Sequence, residues 1–285
     1  MALKENTLFG ERDKVAVAIM RIKEFEPMAM QNNPSGYYVC ISGGKDSSVI
    51  QELCIMAGVK CEFVHSHTSV DHPETVYFVR REKERVRKLG YVFRIEYPRF
   101  ADGSQKTMWN GISKNGLPTR FSRWCCSELK EFGGKGRYCM TGIRWAESIK
   151  RRKRGVHEEI SKKPYSLVLN NDNDMKRRLS EMCITQRKFM LNPIIDWDDE
   201  DVMEFLKEKK IPTNPLYEQG YKRVGCVGCP MSRKGRIRDF ENLPKYKRLY
   251  FQAVVRHFEY RKTRGLKMDG IMETPERYFD WWLRG

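Results

Sequence analysis

Apolar positions at Val15, Ile19, Ile22 and Phe25 recur three and four residues apart and predict an amphipathic helix that ends before Pro34. Its apolar face needs a sheet to cover. Three β-type runs follow at residues 37–41, 61–65 and 91–95, separated by helical patterns at 47–57 and 75–89. Strand–helix alternation of this length requires right-handed crossovers and a parallel sheet, with ligands at the carboxyl ends of the strands. Residues 101–124, polar and without clear periodicity, read as a long loop suited to a lid, and a further strand is expected at 137–142. Residues 150–192 are charged and ambiguous, with a candidate strand at 165–169. Asp196 or Asp198 is placed to cap a helix carrying Val202, Phe205 and Leu206. Leu243, Tyr246, Leu249, Tyr250, Ala253, Val254 and Phe258 form one apolar face before Gly265 stops the last long helix. The chain therefore divides into an α/β domain over residues 1–195 and a helical C-terminal region over 196–285.

The first strand runs into Ser42-Gly43-Gly44-Lys45-Asp46-Ser47. Adjacent glycines let backbone N–H groups approach phosphate oxygens, and the N-terminus of the following helix favours an anion. The spacing is not that of a Walker loop, which needs four residues between its glycines and a hydroxyl residue after the lysine. Asp46 is suited either to a Mg²⁺ bound to the phosphates or to capping the helix.

Composition narrows the class further. A chain of 285 residues can bury a full core, has no run of eighteen apolar residues and begins with charged residues, so it reads as cytoplasmic with no membrane span or signal peptide. The formal net charge is +17, with the densest run at Lys150-Arg151-Arg152-Lys153-Arg154 and further positive charge at Lys162-Lys163, at Lys176-Arg177-Arg178 and between residues 233 and 248. A polyanionic partner, nucleic acid above all, fits this excess. Nine cysteines, with Cys125-Cys126 vicinal and Cys226 and Cys229 spaced C-x-x-C, suit metal chemistry better than a disulfide framework. Cys40, Cys54, Cys61, Cys139 and Cys183 lie in apolar contexts and read as core. His65 and His67 read equally as polar lining or as catalytic groups, His157 and His257 as surface or packing residues, and Trp281-Trp282 as an anchor for the last helix.

The loop resembles the SGGKDS signature of the PP-loop ATP pyrophosphatases, and four further segments extend the resemblance. Thr68-Ser69-Val70-Asp71-His72-Pro73-Glu74-Thr75 is similar to T-G-x-x-x-P-E-T, with Ser69 in place of the glycine. Cys125-Cys126-Ser127-Glu128-Leu129-Lys130 resembles C-C-x-x-x-K, and Gly142 to Ser148 closed by Arg151 resembles G-x-R-x-x-E-S-x-x-R. Asn192-Pro193, Asn214-Pro215-Leu216-Tyr217 and Cys226-x-x-Cys229-Pro230 complete the pattern of the phosphoadenosine phosphosulfate (PAPS) reductase family over roughly residues 35–232.

That resemblance implies an adenine nucleotide alpha hydrolase-like (HUP-type) parallel sheet flanked by helices, with a C-terminal helical lobe. It implies ATP and Mg²⁺ at Ser42, Gly43, Gly44, Lys45, Asp46, Ser47, Thr68, Gly142, Arg144 and Arg151, with Lys45, Asp46 and Arg144 acting in catalysis. Cys125, Cys126, Cys226 and Cys229 would hold a [4Fe–4S] cluster, or zinc as the alternative occupant. Sulfonucleotide reductases of the family lack the loop lysine and carry a nucleophilic cysteine near the C-terminus, whereas here Lys45 is present and no cysteine follows Cys229. Both departures point to the ATP-cleaving branch that includes the DndC and SspD proteins. The leading expectation is adenylation of a substrate oxygen, with pyrophosphate release and iron-sulfur-dependent sulfur transfer, nucleic acid being the acceptor and a cysteine desulfurase or another donor supplying sulfur. The alternatives are a reductase using an external thiol and a non-catalytic, nucleotide-sensing nucleic-acid-binding module. A homo-oligomer is compatible with each.

Overall fold

The structure, a computed structural model, describes residues 3–7, 10–160, 168–169 and 188–284. The chain begins with an antiparallel hairpin, β1 (Lys4–Thr7) and β2 (Gly10–Asp13), followed by α1 (Lys14–Glu24) and α2 (Glu26–Asn32). Asp13 caps α1, its Oδ1 accepting from the Val15 and Ala16 backbones at 2.8 and 3.0 Å. The βαβ alternation then appears as β3 (Tyr37–Cys40), α3 (Lys45–Ala57), β4 (Cys61–Ser66), α4 (Pro73–Lys88) and β5 (Val92–Glu96).

With β6 (Tyr138–Met140), β7 (His157–Ile160), β8 (Val168–Leu169) and β9 (Lys188–Leu191), strands β3 to β9 form one sheet in the order β5-β4-β3-β6-β9-β7-β8. β3 runs parallel to β4 and β6, and β6 parallel to β9, while β7 is antiparallel to β9 and β8. The central strands are apolar on both faces, as helices on both sides require, and Tyr37, Val39, Phe63, Tyr138 and Phe189 are fully buried. At the start of β3, Gly36 has φ +70°, and a Cβ there would meet the Lys60 carbonyl oxygen at 1.9 Å, so only glycine fits.

α7 (Asp199–Glu208) packs with α1 against α3. Asp198 is its cap, accepting from the Glu200 and Asp201 backbones, whereas Asp196 instead receives Arg21 and Arg12. Those guanidinium groups hold its carboxyl below the usual carboxylate range even though burial acts in the opposite direction.

The lid expected at 101–124 contains two helices, α5 (Met108–Asn115) and α6 (Trp124–Leu129). Thr107 and Asn110 make a reciprocal capping box for α5. Gly111 concealed this helix in the sequence; it is there because Trp124 fills the space, its ring lying 2.3 Å from where a Cβ would sit. α5 packs on α9 (Pro244–Thr263) and α9 on α10 (Pro275–Arg284), with Met108, Ile112, Tyr250, Val254, Phe279 and Trp282 in their shared core. α8 (Arg233–Asn242) adds Phe240 to that core. The strand expected at 137–142 is shorter, at β6, and only residues 168 and 169 of the candidate strand at 165–169 are described. Lys162, Lys163, Lys176, Arg177, Arg178 and Cys183 lie outside the described residues. Among the described residues no helix is long and apolar enough to cross a membrane.

The chain forms two compact units, each made of separate stretches: residues 1–65, 77–94 and 134–224 in the first, and 66–76, 95–133 and 225–285 in the second. This division differs from the expected boundary at 195/196. The C-terminal helices share their unit with the 95–133 segment, while residues 196–224 belong with the sheet.

Candidate nucleotide site and thiol group

In the first unit, Gly43 at φ +78° turns the chain out of β3, and Gly44 is the N-cap of α3 with no side-chain cap of its own. Ser47 Oγ donates to the Gly44 carbonyl at 2.8 Å and accepts from Ser42 Oγ at 3.2 Å, which fixes the loop from within. Asn214 Nδ2 donates to the Gly43 carbonyl at 3.0 Å and holds it from outside. The helix begins at Lys45, two residues earlier than the apolar spacing predicts, so Lys45 and Asp46 belong to its first turn.

β6 carries the second half of the site. Thr141 continues its pairing to the Leu191 carbonyl and donates to Asn192 Oδ1 at 2.6 Å, while Trp145 N donates to the Ile195 carbonyl. These bonds fix the segment between them. A Cβ on Gly142 would lie 2.8 Å from the Asp46 carbonyl oxygen, so this glycine lets the two loops touch. Arg144, only 2% exposed, donates from Nε to Asp46 Oδ1 and from Nη2 to Asp199 Oδ1, each at 2.8 Å. Asp46 therefore bonds Arg144, and its side chain makes no helix cap.

Asp199 and Tyr217 carry no role in the sequence reading, yet both sit on the loop. Asp199 Oδ1 also accepts from Lys45 Nζ at 2.6 Å, so one carboxylate oxygen is shared by two cations. Hydrogen bonds from Lys45 and Arg144 lower its pKa to about 2 although its side chain is 74% exposed. Tyr217 Oη accepts from the Lys45 backbone N–H at 2.9 Å. An oxygen thus meets both the ammonium and the first amide of the helix, the groups a phosphate would engage. The sequence signals were an acidic run, Asp198 to Asp201, readable only as a helix start, and a tyrosine inside a quoted motif.

Arg151 forms an ion pair with Glu147 Oε2, and that same oxygen accepts from the Arg144 backbone N–H at 3.1 Å. Burial first, and then Arg223, Arg154 and Arg144, hold Arg151 below its ordinary pKa, with Asp46 acting in the opposite sense. Crowded guanidinium groups of this kind favour an anion that would separate their charges. Arg223 is exposed and has no carboxylate partner among the described residues. The neighbouring histidine is structural: His65 is buried, its Nδ1 2.9 Å from the Ile41 carbonyl. His157 is buried against Phe25 and Tyr138, a packing role.

Thr68 belongs to the second unit, where its Oγ1 lies 3.5 Å from Cys226 Sγ. Cys125 and Cys126 sit at the start of α6, hydrogen-bonded to each other, and Cys125 also feels Cys226 and Cys229. The Cys125 hydrogen bond, with Lys130 and Arg123, lowers the Cys126 thiol to about 6, while that same bond and burial push Cys125 up. Lys130 hydrogen-bonds Cys226 and is held above its ordinary value by Cys226 and Asp71. Every described cysteine is free of disulfide. The donor chemistry fits a group that takes four thiolates, but no three side chains form a ready ligand set among the described residues. Cys54, Cys61 and Cys139 are buried as expected, whereas Cys40 is only half-buried. Trp282 anchors α10, donating to the Pro118 carbonyl at 2.6 Å, while Trp281 stays 40% exposed.

The family model described as the phosphoadenosine phosphosulfate reductase domain matches residues 36–232. An uncharacterized protein of Methanocaldococcus jannaschii is 26% identical over 216 residues, which are 73% of this chain and 44% of that protein, so the chain spans less than half of that relative. A phosphoadenosine 5'-phosphosulfate reductase of Alteromonas mediterranea is 24% identical over 69% of this chain and 70% of its own. Among solved structures, phosphoadenylyl-sulfate reductase from Candida auris, in a phosphate complex, is 17% identical with a TM-score of 0.44, covering 74% of this chain and 93% of that one.

Proposed function

Because this chain belongs to the phosphoadenosine phosphosulfate reductase family, and its sheet is the adenine nucleotide alpha hydrolase-like arrangement, we propose that it is a PP-loop ATP pyrophosphatase of the DndC/SspD-like branch. It adenylates an oxygen of nucleic acid and supports sulfur transfer to it. The observation that carries this reading is Lys45 at the start of α3, its ammonium on Asp199, which Arg144 also binds, while Arg144 and Gly142 both meet Asp46.

In this reading Mg-ATP lays its β,γ-phosphates on the Ser42–Ser47 loop. The acceptor oxygen attacks the α-phosphorus, the bond to the α,β-bridging oxygen breaks, and pyrophosphate leaves. Lys45 and Arg144 offset the charge that accumulates on the departing phosphates, and Asp46 would hold the Mg²⁺ that accompanies the nucleotide and supplies further positive charge there. Arg151 and Arg223 supply further guanidinium groups for phosphate oxygens. A [4Fe–4S] cluster held by Cys125, Cys126, Cys226 and Cys229 would supply electron or Lewis-acid chemistry to the later transfer, with zinc as the other occupant. The sulfur comes from a separate donor, such as a cysteine desulfurase.

The test is anaerobic incubation with Mg-ATP, with and without DNA or tRNA, following pyrophosphate and AMP. Nucleic-acid-stimulated pyrophosphate release is the expected result. The similarity to the Alteromonas reductase favours a second reading, reduction of a sulfonucleotide by an external thiol. Sulfite release without pyrophosphate would establish that instead.

Two variants examine the loop directly. Gly142→Ala drives a methyl group against the Asp46 backbone and is expected to lower pyrophosphate release on the order of a hundredfold, since small displacements of reacting groups cost that much. Unaltered far-ultraviolet circular dichroism would separate this from unfolding. Asp199→Asn removes the charge that occupies Lys45 and Arg144. Exposed ion pairs are weak, so affinity for inorganic pyrophosphate should rise by roughly fivefold in calorimetry. Weaker binding in the variant would mean that Asp199 helps to hold the ligand.

A further inference from the structure

Residues 117–123 join α5 to α6 in the second unit, and the connection is tied at both ends. Leu117 N donates to Tyr278 Oη at 2.9 Å, Trp282 Nε1 to the Pro118 carbonyl at 2.6 Å, and Trp124 Nε1 to the Gly116 carbonyl at 3.2 Å. Between these ties, Thr119 N donates to the Ser122 carbonyl and Ser122 N to Thr119 Oγ1, both at 3.0 Å. This closes a four-residue turn with Arg120 and Phe121 at its tip.

Phe121 is fully exposed, at 102% of its reference accessibility. Arg120 and Arg123 are exposed on either side of it, and neither has a carboxylate partner among the described residues. A lone exposed apolar side chain means little. A phenyl ring carried to the apex of an anchored turn, with an uncompensated guanidinium on each side, is a different object, because it offers a π-face and two phosphate-matching forks together.

We propose that Arg120, Phe121 and Arg123 form a docking point for single-stranded nucleic acid, in which an unpaired base stacks on Phe121 and the flanking phosphates pair with the two arginines. The inference rests on nucleic acid being the acceptor and specifies its form. A base has a free face only when it is unstacked, so the ring selects single-stranded or looped regions over duplex. The charge of the turn and the +17 excess of the chain suit a polyanion. Only Trp124 separates Arg123 from Cys125, so a strand held here is held next to the thiol pair.

The test uses the full chain and a single-stranded oligonucleotide containing 2-aminopurine, with its duplex as comparison. The wild type is expected to quench 2-aminopurine fluorescence on binding the single strand and to bind the duplex more weakly. Phe121→Ala should lose the quenching and roughly tenfold in affinity, while Phe121→Trp keeps both. Arg120→Ala/Arg123→Ala should reduce the slope of log affinity against log salt by about 1.4. Wild-type binding and quenching in Phe121→Ala, with melting temperatures unchanged, would overturn the assignment while leaving the acceptor reading intact. If the wild type binds neither strand form, the acceptor reading falls together with it. Phe121-dependent binding of an acidic protein, with single-strand affinity independent of Phe121, would assign the turn to a protein partner and likewise overturn it.

Discussion

Lys45→Ala is expected to lower pyrophosphate release from Mg-ATP on the order of a hundred- to a thousandfold, the effect of removing one preorganised group that meets developing charge. The fold should be untouched. Among the described residues the ammonium pairs with Asp199 alone, a carboxylate that is 74% exposed, and pairs of that kind contribute at most about 1 kcal/mol. The Lys45 backbone bond to Tyr217 survives the substitution, and alanine is a better helix former than lysine at the start of α3. Steady-state pyrophosphate release alongside thermal melting checks both halves. Retained ATP cleavage in the variant would refute the pyrophosphatase assignment.

Asp201→Ala is expected to act in the opposite way, destabilising the first unit by about 3–5 kcal/mol with no direct contact to the nucleotide loop. Asp201 is fully buried and accepts Lys14 Nζ through both oxygens, at 2.9 and 2.8 Å. Removing it leaves an ammonium that is 9% exposed with Glu5, at 3.5 Å, as its remaining ion-pair partner among the described residues. The same carboxylate accepts from the Asp198 backbone at 2.8 Å and completes the capping box of α7, so two functions go at once. Lys14→Met/Asp201→Leu should recover part of the loss but not the cap. Urea denaturation of the three proteins measures this, and a single variant as stable as wild type would show the pair to be dispensable.

The sequence was legible where one chemical rule dominated. Apolar runs and the Ser42–Ser47 glycine turn located β3, β4 and the loop, because a buried parallel strand tolerates few residue types, and the strand–helix alternation located the half-exposed edge strand β5. Arg144 followed from its place in a motif. What escaped depended on partners distant in the chain. Residues 101–124 read as a loop without periodicity, and the glycine inside α5, Gly111, has its reason only in Trp124, thirteen residues later. Asp199 looked like one more acid at a helix start, where it is favourable anyway. Only its distance to Lys45 and Arg144, 154 and 55 residues away, gives it a second meaning. The β1–β2 hairpin lacks an apolar face and was invisible for that reason.

The interleaving of the two units has a genetic consequence. Each unit is assembled from three separated stretches of chain, and the segments 66–76 and 95–133 of one interrupt the other. Neither unit can be cloned, duplicated or exchanged between genes as one continuous segment. A recombination event at any single point must carry away part of the sheet or part of the cysteine-bearing unit. The nucleotide loop and the four thiols therefore cannot be parted by a single exchange that leaves both units whole.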